Sequence, residues 1–67
     1  MIILNGQSSD LKAGQTVVNA LAQLDLDTTA RGVAVAVNGE VVPRSDWVTF
    51  TLDEDARVEV LCAMQGG

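Results

Sequence analysis

Five residues in the middle of the chain, Val33 to Val37, alternate valine with alanine and lead directly into Asn38-Gly39. This period of two places the valines on one face of a β-strand and the alanines on the other. Asn-Gly suits the positive-φ positions of a type I′ turn, so we predict a hairpin whose returning strand, Glu40 to Val42, is kept short by Pro43. The valine face needs a covering layer, whereas the alanine face is either exposed to solvent or a docking surface.

A covering layer is offered by an amphipathic segment nearer the N-terminus. Thr16 is a candidate N-cap, and the apolar residues behind it recur at the spacing of one helical stripe: Val17, Ala20, Leu21 and Leu24. Asn19 is not expected to complete a capping box. A helix of about two turns is too short to be stable alone, so we predict that it packs on the sheet.

Strands are also predicted at the two ends of the chain. Ile2 to Leu4 is followed by Asn5-Gly6, which predicts a hairpin with a return strand at Ser8 to Leu11. The alternation in Arg57 to Cys62 predicts a last strand whose even-numbered residues face inward, Cys62 among them. The predicted class is therefore α+β, with the helix across one face of a mixed sheet. Periodicity alone does not fix the strand order.

The segment between the hairpin and the last strand is less regular. Arg44 to Trp47 is predicted to form a single helical or 3₁₀ turn, with Trp47 anchored in the core. Val48 to Leu52 alternates like a strand or an extended segment. Asp53 to Asp55 is interpreted as a solvated acidic turn, because three consecutive carboxylates lack the ligand spacing of a calcium loop.

Composition restricts the function. A chain of 67 residues forms one domain at most, which we place at 1–67 with a tail at 63–67. With no histidine and one cysteine it has no imidazole base and no cysteine-rich zinc site, so an enzyme is the least favoured class. A net charge of −5 disfavours nucleic acid and anionic membranes and favours basic protein surfaces. Since no apolar run approaches the ~20 residues of a membrane span, we expect a soluble protein of the cytoplasm. A monomer that docks transiently is the default expectation.

The chain ends in Gly66-Gly67, directly after the last predicted strand and a short tail. A terminal carboxylate becomes reactive when it is activated, for example as an acyl adenylate, which requires the chain end to enter a narrow channel of another protein. Glycine has no Cβ, so two in succession let the channel walls approach the backbone closely. A frayed end is the alternative, and the dipeptide alone does not decide between the two.

Apolar residues lie beside this tail. Leu61, Ala63 and Met64 exceed what the core can absorb, so we predict an exposed apolar strip that docks partners. Cys62 is interpreted as a buried structural thiol rather than a reactive group.

The sequence resembles the ThiS family of sulfur carriers in thiazole and thiamine biosynthesis. The resemblance covers nearly the whole chain and lies in the opening residues, the start of the helix, the middle hairpin and the end of the chain: Ile2–Gly6, Ala13–Val17, Val35–Trp47, Arg57–Val60 and Gly66-Gly67. Pro43-Arg44, Trp47 and the terminal glycines are its most specific part.

The resemblance implies a ubiquitin-like β-grasp fold and a carrier role. A partner adenylyltransferase of the ubiquitin-activating type would use ATP and magnesium to adenylate the Gly67 carboxylate, so the chain itself is expected to bind no cofactor and no metal. A persulfide sulfur donor would displace AMP, and thiazole synthase would accept sulfur from the thiocarboxylate at Gly67. Gly66 would let the tail enter, while Gln65, Met64, Ala63 and Leu61 would bind partners.

Other functions stay open at this point. The chain could be another β-grasp sulfur carrier, serving molybdopterin or cysteine synthesis. It could be a ubiquitin-like modifier whose Gly67 is joined to a target lysine. It could also be a plain interaction domain with an incidental tail.

Overall fold

A computed structural model describes residues 1–62 of the chain. These residues form a five-stranded sheet, one α-helix and one 3₁₀ turn. In chain order the elements are β1 (Ile3–Leu4), β2 (Gln7–Ser8), α1 (Val17–Gln23), β3 (Val33–Val37), β4 (Glu40–Val42), the 3₁₀ turn (Arg44–Asp46) and β5 (Arg57–Cys62).

The sheet is mixed, and its strand order is β2-β1-β5-β3-β4. The first and last strands, β1 and β5, are parallel neighbours, while the remaining pairs are antiparallel. The buried side chains of α1 join those of the sheet in one apolar core. The predicted class, a helix across one face of a mixed sheet, is confirmed.

Both Asn-Gly turns form as predicted. Asn5 and Gly6 have φ values of 51° and 81°, and Asn38 and Gly39 have 52° and 85°, as a type I′ turn requires. The return strand β2 lies at Gln7–Ser8 rather than at Ser8 to Leu11, because the two-residue turn puts Gln7 directly opposite Leu4. Just beyond β2, the Ser9 backbone N–H and hydroxyl both donate to the Ile2 carbonyl.

The helix begins after Thr16 and ends one residue before Leu24. Our expectation for Asn19 was wrong: its Oδ1 accepts a hydrogen bond from the Thr16 backbone N–H at 2.9 Å, which is the N3-to-N-cap half of a capping box. Asp25, with φ of 60°, ends the helix in the left-handed region. Leu24 therefore lies outside the helix and is 36% exposed, while Val17, Ala20 and Leu21 are buried.

Trp47 is buried at 1% exposure, as predicted, and its indole N–H donates to the Val42 carbonyl at 2.9 Å. The segment Val48 to Leu52 forms no strand: Val48 and Thr49 lie in a turn, and Thr51 forms an isolated bridge with Thr16. Leu52 nevertheless reaches the core.

Candidate functional site

The strand that leads to the C-terminus is held on both sides. β5 pairs with β1 at Arg57 and Val58, and with β3 at five positions from Val58 to Cys62. Val58 and Val60 are buried against the core. β5 is therefore fixed by backbone pairing up to Cys62, its last described residue.

The predicted tail lies beyond this point. Ala63, Met64, Gln65, Gly66 and Gly67 fall outside the described residues, so their predicted roles remain predictions. Of the predicted site residues, Leu61 lies within the described part, and it is 70% exposed, as the docking-strip prediction requires.

The structure brings other residues to the same face of the sheet as Leu61. Directly paired residues point the same way, and Leu61 is opposite Ala34, while Ala36 is opposite both Glu59 and Val41. We call this set the outer face: Ala34, Ala36, Val41, Glu59 and Leu61. Val41 is 75% exposed. The outer face is thus apolar apart from Glu59, and Leu61 brings it next to Cys62, the last described residue of β5.

Val41 was missed by sequence reasoning, although a signal was present. A two-residue turn at Asn38-Gly39 fixes the hairpin register, so Val41 must pair with Ala36 and point to the alanine side. An exposed valine beside two alanines could therefore have been added to the docking surface.

Cys62 is exposed, so the prediction of a buried thiol was wrong. Its register with Val33 does put it on the predicted face, together with Val58 and Val60. The core becomes thinner at this end of the sheet, where Val33 itself is half-buried. Alternation therefore predicted the face correctly, but burial also depends on what lies above that face.

The carboxylates of Glu54, Asp55 and Asp27 bind nearby donors. The N-terminal ammonium of Met1 pairs with Glu54 and with Asp55, the latter at 2.7 Å. The Asp27 carboxylate accepts hydrogen bonds from the Thr29 hydroxyl and backbone N–H at 2.6 and 2.9 Å, which lower the pKa of Asp27.

Residues 1–62 contain no cluster of three or more His, Cys, Asp or Glu side chains that could hold a metal ion. They also contain no helix of the length and apolarity that crossing a membrane requires.

Comparison with known proteins gives consistent matches. The sequence profile of the ThiS family matches residues 2–67. The chain is 33% identical to the sulfur carrier protein ThiS of Escherichia coli (strain K12) over 66 residues, covering 98% of this chain and 97% of that one. It is 30% identical over 66 residues to a thiazole synthase of Paramagnetospirillum magneticum, of which it spans 20%.

Solved structures agree with the sequence matches. The crystal structure of a thiamine biosynthesis protein, ThiS, from Geobacter metallireducens superposes with a TM-score of 0.72 at 31% identity, covering 98% of this chain and 97% of that one. A solution structure of a thiamine biosynthesis protein from Geobacter metallireducens gives 0.74 at 30% identity, covering 98% and 86%. The fold is the ubiquitin-like β-grasp fold. On the full-length profile match and these relatives, the chain belongs to the ThiS family.

Proposed function

We propose that this chain is a sulfur carrier of thiamine biosynthesis and that sulfur is carried on the carboxyl group of Gly67. The observation that carries the proposal is similarity over nearly the full length to a protein named as a ThiS sulfur carrier. A carrier is not an enzyme: its contribution is a reactive end on a rigid mount.

The proposed chemistry takes place on the terminal carboxylate. A partner adenylyltransferase, using ATP and magnesium, lets a carboxylate oxygen attack the α-phosphate of ATP, so that pyrophosphate leaves and an acyl adenylate forms. The terminal sulfur of a persulfide then attacks the acyl carbon and displaces AMP. A thiol then attacks the donor's sulfur in the resulting acyl disulfide, which cleaves the S–S bond, joins the thiol and the donor in a new disulfide and releases the thiocarboxylate. The carrier supplies no acid, base or metal to these steps.

The geometry of β5 supports a carrier that presents its terminal carboxylate while the partner supplies the catalytic groups. Backbone pairing holds the strand up to Cys62, and five further residues reach at most about 17 Å when extended. A partner that docks close to Cys62 can therefore receive Gly67 in its own active site. The outer face offers such a docking surface because Leu61, next to Cys62, and Val41, on β4, are both exposed apolar side chains.

Thiazole synthase is the proposed acceptor of the sulfur. A protein named thiazole synthase is similar to this chain over about a fifth of its own length, so a sequence like this one occurs within a protein of that name. The net charge of −5 favours partners with basic docking surfaces. As part of the same proposal, the chain acts in the cytoplasm as a monomer that docks transiently.

The test of this proposal expresses either the full chain or a chain without Gly67 in a bacterial host that lacks its own thiazole sulfur carrier. The full chain should restore growth without thiamine, and the chain without Gly67 should not, while both proteins show the same thermal melt. Restored growth with the deleted chain would contradict the proposal. If the full chain instead replaced the sulfur carrier of molybdopterin or cysteine synthesis in a host that lacks that carrier, the chain would belong to another pathway.

A further inference from the structure

The side chain of Arg44 binds two separate parts of the molecule. Its guanidinium donates hydrogen bonds to the backbone carbonyl oxygens of Thr28 and Ala30. It also lies over the Trp47 ring, with 4.6 Å between Cζ and the ring centroid. A planar guanidinium can donate in its own plane and stack on an aromatic face at the same time. We call this group of contacts the Arg44 clamp.

One side of the clamp is rigid. Trp47 is buried, and its indole N–H is bonded to the Val42 carbonyl at 2.9 Å. The ring is therefore fixed to both the core and β4. Arg44 itself begins the 3₁₀ turn, and its carbonyl accepts the Trp47 backbone N–H.

The other side of the clamp is the connector between α1 and β3, residues 24–32. Its first half is anchored, since Leu26 packs against the core and its N–H donates to the Leu21 carbonyl at 2.9 Å. Its second half carries the bonds between Thr29 and Asp27 and between Ala30 and Asp27, which are internal to the connector. Within residues 1–62, the hydrogen bonds that reach residues 28–32 from outside the connector come from Arg44.

The connector ends beside the start of the tail. Gly32, with φ of 68°, leads into Val33, and Val33 pairs with Cys62, the last described residue of β5. A displacement of residues 28–32 would be passed to this terminal pair, because two residues separate Ala30 from Val33.

We propose that Arg44 is a positioning residue for the tail: through residues 28–32 it holds the Val33–Cys62 pair from which the tail departs. This role rests on the proposed function, since the tail must enter a partner's active site in a defined register. Misplacement of a reacting group lowers the rate of the chemical step even where binding is unchanged.

The test compares Arg44→Met, Arg44→Lys and a matched control, Arg31→Met. Methionine removes the donors and the charge, whereas lysine keeps the charge but cannot reproduce the planar fork. Arg31 is an exposed cation of the same connector and controls for loss of charge there. Each variant is measured by thermal melt, by amide hydrogen exchange at Ala34 and Leu61, the hydrogen-bonded pair of the ladder next to Val33 and Cys62, and by pyrophosphate release with the adenylyltransferase.

The proposal predicts faster exchange at this end of β3 and β5 in Arg44→Met. It also predicts a kcat about 10-fold lower with KM within about twofold of wild type, because the outer face that docks the partner is intact. Arg44→Lys should be intermediate and Arg31→Met unchanged. If Arg44→Met melts below the assay temperature, Arg44→Lys is the variant that decides, with changes in the same direction but of smaller size.

Unchanged amide exchange in both Arg44 variants would overturn the proposal that the Arg44 clamp holds this end of β3 and β5. Faster exchange with unchanged kcat would overturn the positioning role, and a rise in KM alone would show that Arg44 contacts the partner directly. A wild-type chain that is never adenylated would overturn the proposed function and this role with it. Exchange would then still show whether Arg44 fastens the connector, so the two failures are distinguishable.

Discussion

At the scale of single residues, Leu61 connects the fold to the proposed docking surface. It is 70% exposed and takes no part in the core cluster. Exposed substitutions usually change stability by less than about 0.5 kcal/mol, so the cost of altering Leu61 should be seen in partner binding rather than in folding.

We therefore expect Leu61→Ser to raise the KM for the adenylyltransferase about 10-fold while leaving the thermal melt unchanged, because a central apolar contact is lost. Steady-state pyrophosphate release measures the effect. Val48→Ser is the matched control, since Val48 is also exposed, at 63%, but lies outside the outer face. Equal effects of the two substitutions would argue against the outer face as the docking surface.

Asp27 gives a prediction of pH dependence. Hydrogen bonds from the Thr29 hydroxyl and backbone stabilise its charged form and lower its pKa below the ordinary value of 3.8. The stabilisation is present above that ordinary pKa and is lost as pH falls through the lower pKa of the folded state.

Thr29→Val removes the hydroxyl and should move the pKa of Asp27 back toward its ordinary value, as followed by side-chain carboxyl chemical shifts in an acid titration. Thr49→Val, a similar exposed change away from Asp27, should leave that pKa unchanged. An unaltered Asp27 pKa in Thr29→Val would show that the hydroxyl is not the main cause.

Residue-level prediction from sequence was uneven, for physical reasons. Leu61 could be predicted as exposed because alternation in β5 assigns it to the face opposite Val58 and Val60. The Arg44 clamp could not be predicted, since its hydrogen-bond acceptors are backbone carbonyl oxygens, which every residue carries. The prediction that Cys62 is buried was wrong, because alternation identifies the face on which a residue lies but not the thickness of the layer that covers this face.

At the scale of elements, the two Asn-Gly turns were predictable because a type I′ turn needs positive φ at both central residues. The sequence did not reveal that both asparagines also bind β5. Asn5 Oδ1 accepts the Val60 N–H at 2.7 Å, and Asn38 Oδ1 accepts the Arg57 N–H at 2.9 Å. Each hairpin turn is thus fastened to the central strand.

Asn38→Ala should lower the free energy of unfolding by about 1–3 kcal/mol, because it loses the bond to Arg57 and places an alanine at a positive φ. Asn38→Asp keeps an acceptor and tolerates that backbone conformation, so its loss should be smaller. Urea unfolding of the two variants and the wild type gives the comparison. A loss as large in Asn38→Asp as in Asn38→Ala would contradict this explanation.

At the scale of the whole molecule, the class of fold could be predicted but the strand order could not be derived from periodicity. The parallel pairing of β1 with β5 joins residues more than fifty positions apart, and no local pattern encodes such a contact. The resemblance supplied the topology, and the structural neighbours confirm it. The proposed site divides in the same way: the outer face follows from strand register, whereas the proposed chemistry belongs to the carboxyl group of Gly67 alone.

The central claim is that the carboxyl group of Gly67 carries sulfur. Its most direct test is the intact mass of the chain, with fragmentation of the C-terminal peptide, after incubation with the adenylyltransferase, ATP, magnesium, a persulfide donor and a thiol. We predict a product in which one oxygen is replaced by sulfur, located at Gly67 and absent when ATP is omitted. A chain that keeps its carboxylate under these conditions, or that becomes joined to a lysine of another protein instead, would contradict the claim.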